Sequence, residues 1–414
     1  MNFFYKYQKI IFVVLFVGIV LLFGYLLFFL FFRSIPQPEN PLTQQNATST
    51  SPVGFPSAGS GGGQKVGNQG GNKLIPVQTV PSPGANPIAQ GGLTDTTQIN
   101  DAPSSAPTMS SDGSSVQYYN QNDGKFYKID KNGNITALTD KVFHEVQNID
   151  WAPNKTKAVL EYPDGAKIVY DFNSNQQVTL PSHWTGFDFS PTSDQIVSKS
   201  IGQDYNNRWL IVANNDGTKA KSVIDLGDNG DAVDVSWSPN NQSVAMYVEG
   251  EDYNRQSVYF IGLNGENFKS LLVEGRGFES KWTPKGNRLL YSVFSTDTDQ
   301  KPNLWVADAQ GDNIGNNRTN LNIQTWANKC TFVDNSNVYC AVPEQLESGA
   351  GLLPELSLNT KDNIYKINID TGIKKLIAIP DGSFTISNIV ITGNEKFLYF
   401  NELSSGKLFK ISLK

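Results

Sequence analysis

Three patterns of apolar and polar positions follow one another along this chain. Residues 10–32 are an uncharged run of 23 residues between Lys9 and Arg33, mostly Phe, Leu, Val and Ile. A run of that length can cross a hydrocarbon core of about 30 Å as one helix. Residues 33–113 lose nearly all large apolar positions and are built from stretches such as Ser60-Gly61-Gly62-Gly63 and Gly67-Asn68-Gln69-Gly70-Gly71, with scattered prolines. Such a segment cannot offset its own ordering entropy and is expected to be a disordered linker. From Ser114 to Lys414, short runs of alternating apolar and polar residues are punctuated by Gly, Asn and Asp, the pattern of half-buried strands joined by tight turns. Only this last region can bury a core.

The first run reads as an uncleaved anchor. A cleaved signal peptide would carry about 7 to 15 apolar residues and then a small-x-small site. Here the run ends in Phe31-Phe32-Arg33-Ser34-Ile35-Pro36, with no such site and no cysteine to lipidate. Lys6 and Lys9 precede the span, and after Arg33 no Lys or Arg occurs before Lys65. The positive-inside rule then puts residues 1–9 in the cytoplasm and everything after residue 32 outside the cell membrane. As a Gly-rich coil, the linker would have a root-mean-square span of about 50 Å.

Within residues 114–414 one order of features recurs. An aromatic residue, a small residue and a proline appear as Asp150-Trp151-Ala152-Pro153-Asn154, Asp188-Phe189-Ser190-Pro191-Thr192, Ser236-Trp237-Ser238-Pro239-Asn240 and Lys281-Trp282-Thr283-Pro284-Lys285-Gly286. Weaker copies are Thr331-Phe332-Val333-Asp334-Asn335 and Val390-Ile391-Thr392-Gly393-Asn394. After each marker come two β-rich runs joined by a loop, then a turn such as Asn215-Asp216-Gly217 or Asn264-Gly265, then a last strand. Asn-Gly and Asp-Gly supply the positive φ that tight hairpins need. Four strands, a to d, fill a repeat of roughly 45 residues, the size of a propeller blade. Blades beginning near Val146, Gly186, Val233, Phe278 and Lys329, with partial sets at either end, predict an all-β, seven-bladed β-propeller. Six blades is the alternative, if the terminal strands share one blade.

These units resemble the WD40-like repeats of the TolB-type bacterial β-propeller family. The resemblance covers about 300 residues and implies an interaction scaffold in a bacterial cell envelope.

Charge narrows the function classes. Removing the five basic and four acidic residues of the first 113 from the totals of 33 and 39 leaves 28 against 35, a folded region near −7. An acidic domain without a basic stripe is a poor partner for nucleic acid, whose affinity rests on phosphate contacts. Trp151, Trp237 and Trp282 stand where strand a ends and are expected to wedge between blades. The b–c loops are short at 163–165 and 403–406 and long at 201–207, 250–256, 295–302 and 343–362, so one face of the ring is the expected recognition surface.

Two of those loops repeat each other, with Asp204, Tyr205 and Asn206 in one and Asp252, Tyr253 and Asn254 in the other. Their side chains suit Asx-type turns, a polar contact patch, or oxygen ligands for Ca²⁺. No EF-hand spacing accompanies them, so no cofactor is expected. The d–a loops of the same face hold His144, His183, Asp228 and Asp231, and also Trp184, Arg276 and Trp326, an aromatic and charged set suited to a protein, peptide or glycan. Cys330 and Cys340 flank a turn and would face each other on adjacent strands, close enough for a disulfide outside the cell.

The chain therefore reads as a tethered, non-enzymatic binding module. One alternative is a propeller-based hydrolase or lyase, for which Asp297 and Asp299 are the nearest acid–base pair; no Gly-x-Ser-x-Gly or His-Glu-x-x-His motif accompanies them. The other is a structural envelope component without a specific ligand.

Overall fold

The computed structural model describes residues 84–266 and 268–414, together with Phe16, Gly18, Ile19, Leu21, Leu22, Phe23 and Tyr25. Those seven are helical with exposed side chains. Among the described residues no helix is long and apolar enough to cross a membrane, and most of the expected span at residues 10–32 lies outside them, as do residues 33–83 of the expected linker.

The folded region is a seven-bladed β-propeller. Blades 2 to 6 each take four successive antiparallel strands: Asn148–Trp151 to Gln176–Leu180, Trp184–Phe189 to Lys221–Asp225, Val233–Val235 to Leu271–Val273, Arg276–Trp282 to Thr319–Asn320, and Cys330–Phe332 to Lys374–Pro380. Blade 1 comprises Ser104–Met109, Val116–Asn120, Lys125–Ile129 and Ile135–Ala137. Blade 7 takes strands a to c from Ile386–Ile391, Phe397–Glu402 and Leu408–Ser412, and its outermost strand from the other end of the chain, Thr97–Gln98. Leu93–Thr94 adds a fifth strand, parallel, to the outside of blade 6.

One expectation is corrected. The ordered region starts well before Ser114, because residues 93–109, expected in the linker, carry three strands. Their side chains hide the fact: in Ser104–Met109 the buried positions are Ser104 and Pro107, and a bulge with Ala106 at φ +49° breaks the two-residue alternation. The expected count of seven holds: the two terminal sets stay in separate blades, because blade 1 finds its first strand in Ser104–Met109 and blade 7 its fourth in Thr97–Gln98.

Each core lies between neighbouring blades. Blades 1 and 2 meet through Tyr119, Phe126, Leu160 and Tyr170, and blades 5 and 6 through Leu290, Leu304, Val338 and Cys340. Blades 7 and 1 close the ring through Tyr399, Leu408, Val116 and Tyr118. Burying a large apolar side chain contributes about 1.5–3 kcal/mol, so ring closure removes the apolar faces that an isolated blade would expose. The tryptophans stitch blades as expected: Trp151 Nε1 donates to Ala106 O of blade 1 (2.9 Å), and Trp282 Nε1 to Ser236 Oγ of blade 4 (3.0 Å). Trp237 is buried between blades 3 and 4. In the a–b turns the left-handed position recurs at Gly113, Lys155, Ser193, Asn241, Gly286 and Glu395.

Cys330 and Cys340 are direct cross-strand partners in blade 6 and form a disulfide, with Cα atoms 4.0 Å apart. That separation matches the close, non-hydrogen-bonded kind of antiparallel pair.

Candidate binding face

The long b–c loops of blades 4, 5 and 6 are bonded to one another. Asn254 Nδ2 donates to Thr296 Oγ1 (2.8 Å), and Thr296 N donates back to Asn254 Oδ1 (3.2 Å). Gln300 Nε2 donates to the Tyr253 hydroxyl (3.2 Å). From blade 6, Gly349 N reaches Asp299 O (2.8 Å) and Gly351 N reaches Gln300 O (2.7 Å). Asp299 and Gln300 are both left-handed (φ +53° and +55°), a strain of about 1–3 kcal/mol each that surrounding contacts must hold. Gly351 is required at that junction, since a Cβ there would lie 2.5 Å from Phe294 Cβ and 2.7 Å from Gln300 O.

Between these loops opens a cavity of about 600 Å³, lined by residues 250–254, Gln256, Arg276, Phe294, Gln300 and Leu352. Arg276 donates through Nη1 to the Asp252 carbonyl (2.8 Å). Gly250 makes room for it, because a Cβ there would come within 2.9 Å of that nitrogen. Tyr253 is 69% exposed, and Gln256 Oε1 is buried without a partner among the described residues. The Asp252 carboxylate is held below its usual range, first by Arg255 and then by the Asn254 N–H. The cavity thus offers guanidinium donors, one acceptor without a partner, an aromatic face and apolar patches.

The fold sorts the expected site residues. Asp252, Tyr253, Asn254 and Arg276 come together in this cavity. Asp204, Tyr205 and Asn206 do not join them: Asp204 caps its own turn through Asn206 N (3.0 Å), and the Arg208 guanidinium lies 4.2 Å from the Tyr205 ring centre. Trp184 is corrected to a core residue, 5% exposed and packed with Phe187 and Phe189. Trp326 is also largely buried, against Leu346 and Ala350, yet it borders a second cavity of about 260 Å³ near the inner strands of blades 5 to 7. Sequence reasoning placed Gln256, Gln300 and Leu352 in the long loops without singling them out, and missed Phe294, which ends the strand before its loop. Among the described residues no three His, Cys, Asp or Glu side chains are placed to hold a metal ion.

Beneath this face the inner strands carry charge. Lys329 (7% exposed) donates to both carboxylate oxygens of Asp362 (1%) at 2.7 Å, and Asp362 Oδ2 also accepts from Ile386 N (2.6 Å). The bond from Ile386 N ties the C-terminal base of the blade 6 loop to blade 7, and the Lys329 pair holds that base within blade 6. Farther round the ring, Asp150 is pushed up to about 8 by burial and then by the charges of Asp188 and Glu161. Asp188 is raised to about 6 by burial, partly offset by N–H donation from Trp237 and Phe189.

No protein-family model and no curated protein matches the sequence. Solved structures do share the fold. The β-propeller domain of Cps50 (Swd1) from Myceliophteria thermophila aligns over 77% of this chain and all of that one, at 11% identity and a TM-score of 0.51. Kuenenia stuttgartiensis hydrazine synthase aligns over 76% of this chain and 96% of its own, at 15% and 0.51. An oligogalacturonate lyase in complex with manganese aligns over 77% and 93%, at 12% and 0.50. At these identities the likeness is one of fold, and that fold is the β-propeller.

Proposed function

We propose that this chain is a membrane-tethered, extracytoplasmic binding module that receives a protein, peptide or glycan on its long-loop face without transforming it. The observation that supports this reading is the interlocking of three consecutive b–c loops around the cavity at Arg276. Loops that only connected strands would not need two strained residues and a glycine at their junction. The uncharged run at residues 10–32, with Lys6 and Lys9 before it, supports the tether.

The test is the full chain in lipid nanodiscs, presented to peptide and glycan arrays. Saturable binding is expected, weakened at least about tenfold by Tyr253→Ala, which removes an exposed ring and leaves the ring core alone. Array-wide silence would point to a structural envelope role. Chemical turnover of an arrayed compound, lost in the same variant, would make the protein an enzyme.

A further inference from the structure

In blades 2 to 6 the third strand opens on a polar side chain: Lys167, Arg208, Gln256, Asn303 and Asp362. Three of the five are bonded within the chain. Lys167 Nζ donates to the carbonyls of Gly165 and Ser182, Arg208 Nε donates to Gly202 O (3.2 Å), and Asp362 accepts from Lys329. The side-chain amides of Gln256 and Asn303 have no hydrogen-bond partner among the described residues, although Gln256 Oε1 and Asn303 Oδ1 are buried and Asn303 is only 8% exposed. A buried amide without partners costs free energy that a matching ligand recovers. Each of the two lines a cavity. Gln256 is in the wall of the one at Arg276, and Asn303, with Trp305, Asn320 and Asn322, is in the wall of a third, of about 770 Å³. Asp252, Tyr253 and Asn254 line both, so one loop stands between them. Because neither end of either amide is held, a half-turn about its last torsion presents oxygen or NH₂ to the cavity.

We propose, on the footing that the long-loop face receives a ligand, that this ligand is a neutral oligosaccharide lying across the blade 4 loop, with Gln256 and Asn303 each bonded to ring hydroxyls. A hydroxyl both donates and accepts, which matches an amide free to present either end. Tyr253 and Trp305, the second stacked by one face on Tyr291, supply aromatic surface for the C–H faces of a pyranose. Charge favours a neutral chain. Asp252 is paired with Arg255 and Glu274 with Arg318, both at 2.6 Å, and outside those pairs the two cavities hold Arg276, Glu251 and Asp297, too mixed a set to select a strong ion. A peptide is disfavoured because it docks through an open strand edge or an apolar anchor pocket. Besides its two aromatics, the third cavity has Val293 alone as an apolar wall.

The experiment is isothermal titration of the full chain in lipid nanodiscs with cellotetraose, chitotetraose and mannotetraose, against tetragalacturonate and tetra-alanine as comparators. At least one neutral tetrasaccharide should bind saturably, and more tightly than either comparator. Asn303→Leu and Gln256→Met, apolar replacements of similar size, should each weaken it about tenfold, whereas Asp204→Ala, in the blade 3 loop that closes on itself, should leave it unchanged. Both replacements should also hold or raise the urea midpoint, because each removes a buried amide that has no partner. Failure of all three neutral chains to bind, tighter binding of tetragalacturonate, indifference to both replacements, or a fall in urea midpoint with both would overturn the proposal. Binding of tetra-alanine alone, lost in Tyr253→Ala, would overturn it while leaving the long-loop face a recognition surface.

Discussion

Blades 2 and 6 share one ladder and differ in what they carry above it. In blade 2, Lys157–Glu161 passes to Lys167–Asp171 through residues 162–166; in blade 6, Asn337–Pro343 passes to Asp362–Asn368 through residues 344–361. Their second strands are equally buried, and each packs into clusters shared with the neighbouring blades. The ring therefore places no demand on the loop, and the long excursion of blade 6 needs its own fixings. It has one that blade 2 lacks, the Cys330–Cys340 bridge one strand inward, and a tighter form of one they share, Lys329–Asp362 at 2.7 Å where blade 2 has Lys167–Glu161 at 3.7 Å. Ring stability and face chemistry are separable in this molecule.

The sharpest way to break that comparison is Asp362→Ala. It strands Lys329 as a buried unpaired charge and should lower the unfolding free energy by about 3–5 kcal/mol, read as a fall in urea midpoint. The counterpart in blade 2, Glu161→Ala, should cost clearly less, because Lys167 Nζ keeps the carbonyls of Gly165 and Ser182. Equal costs would mean that the blade 6 loop has no special base.

Next in size is the bridge. Replacing Cys330 and Cys340 together by serine, or reducing them in the unfolded chain, should cost about 3 kcal/mol by the loop-entropy account, and denaturation with and without reductant measures it.

The remaining effect belongs to blade 2 and is spread over a range of pH. Asp150 titrates near 8 in the folded protein against an ordinary 3.8, so the folded state holds a proton that the unfolded chain has released. Stability present below about pH 4 is therefore lost as pH rises toward 8. Asp150→Asn removes that loss, so its melting temperature should gain on the parent as pH rises from 5 to 8, by several degrees. A constant difference across that range would show that Asp150 is not held in its neutral form.

Much of the ring could be read from residues alone. From Val116 onward, the second and third strands are short, largely apolar runs buried on both faces, and the tryptophan–proline corners mark where the first strands end. Ser104–Met109 escaped notice because small side chains and a bulge erase that alternation. Thr97–Gln98 escaped because its partner, Leu408–Ser412, is some 300 residues away, so nothing local to it reports the pairing.

The site was legible in part. The duplicated Asp-Tyr-Asn loops look alike in sequence, yet the blade 4 copy walls the cavity at Arg276 and the blade 3 copy does not. Its neighbour in blade 5 supplies Thr296 to hold Asn254, whereas the blade 3 copy closes on itself through Asp204 and Arg208.

The way blade 7 is finished also decides where tension would be felt. The chain upstream of Gly84 joins the ring through Leu93–Thr94 and Thr97–Gln98, two-residue strands on the outsides of blades 6 and 7. A pull from the N-terminal side therefore reaches the seam between blades 6 and 7 before it reaches any complete blade. In an optical-trap experiment held from the two ends of the chain, that arrangement gives a small first extension at low force, well ahead of the larger steps in which whole blades unravel.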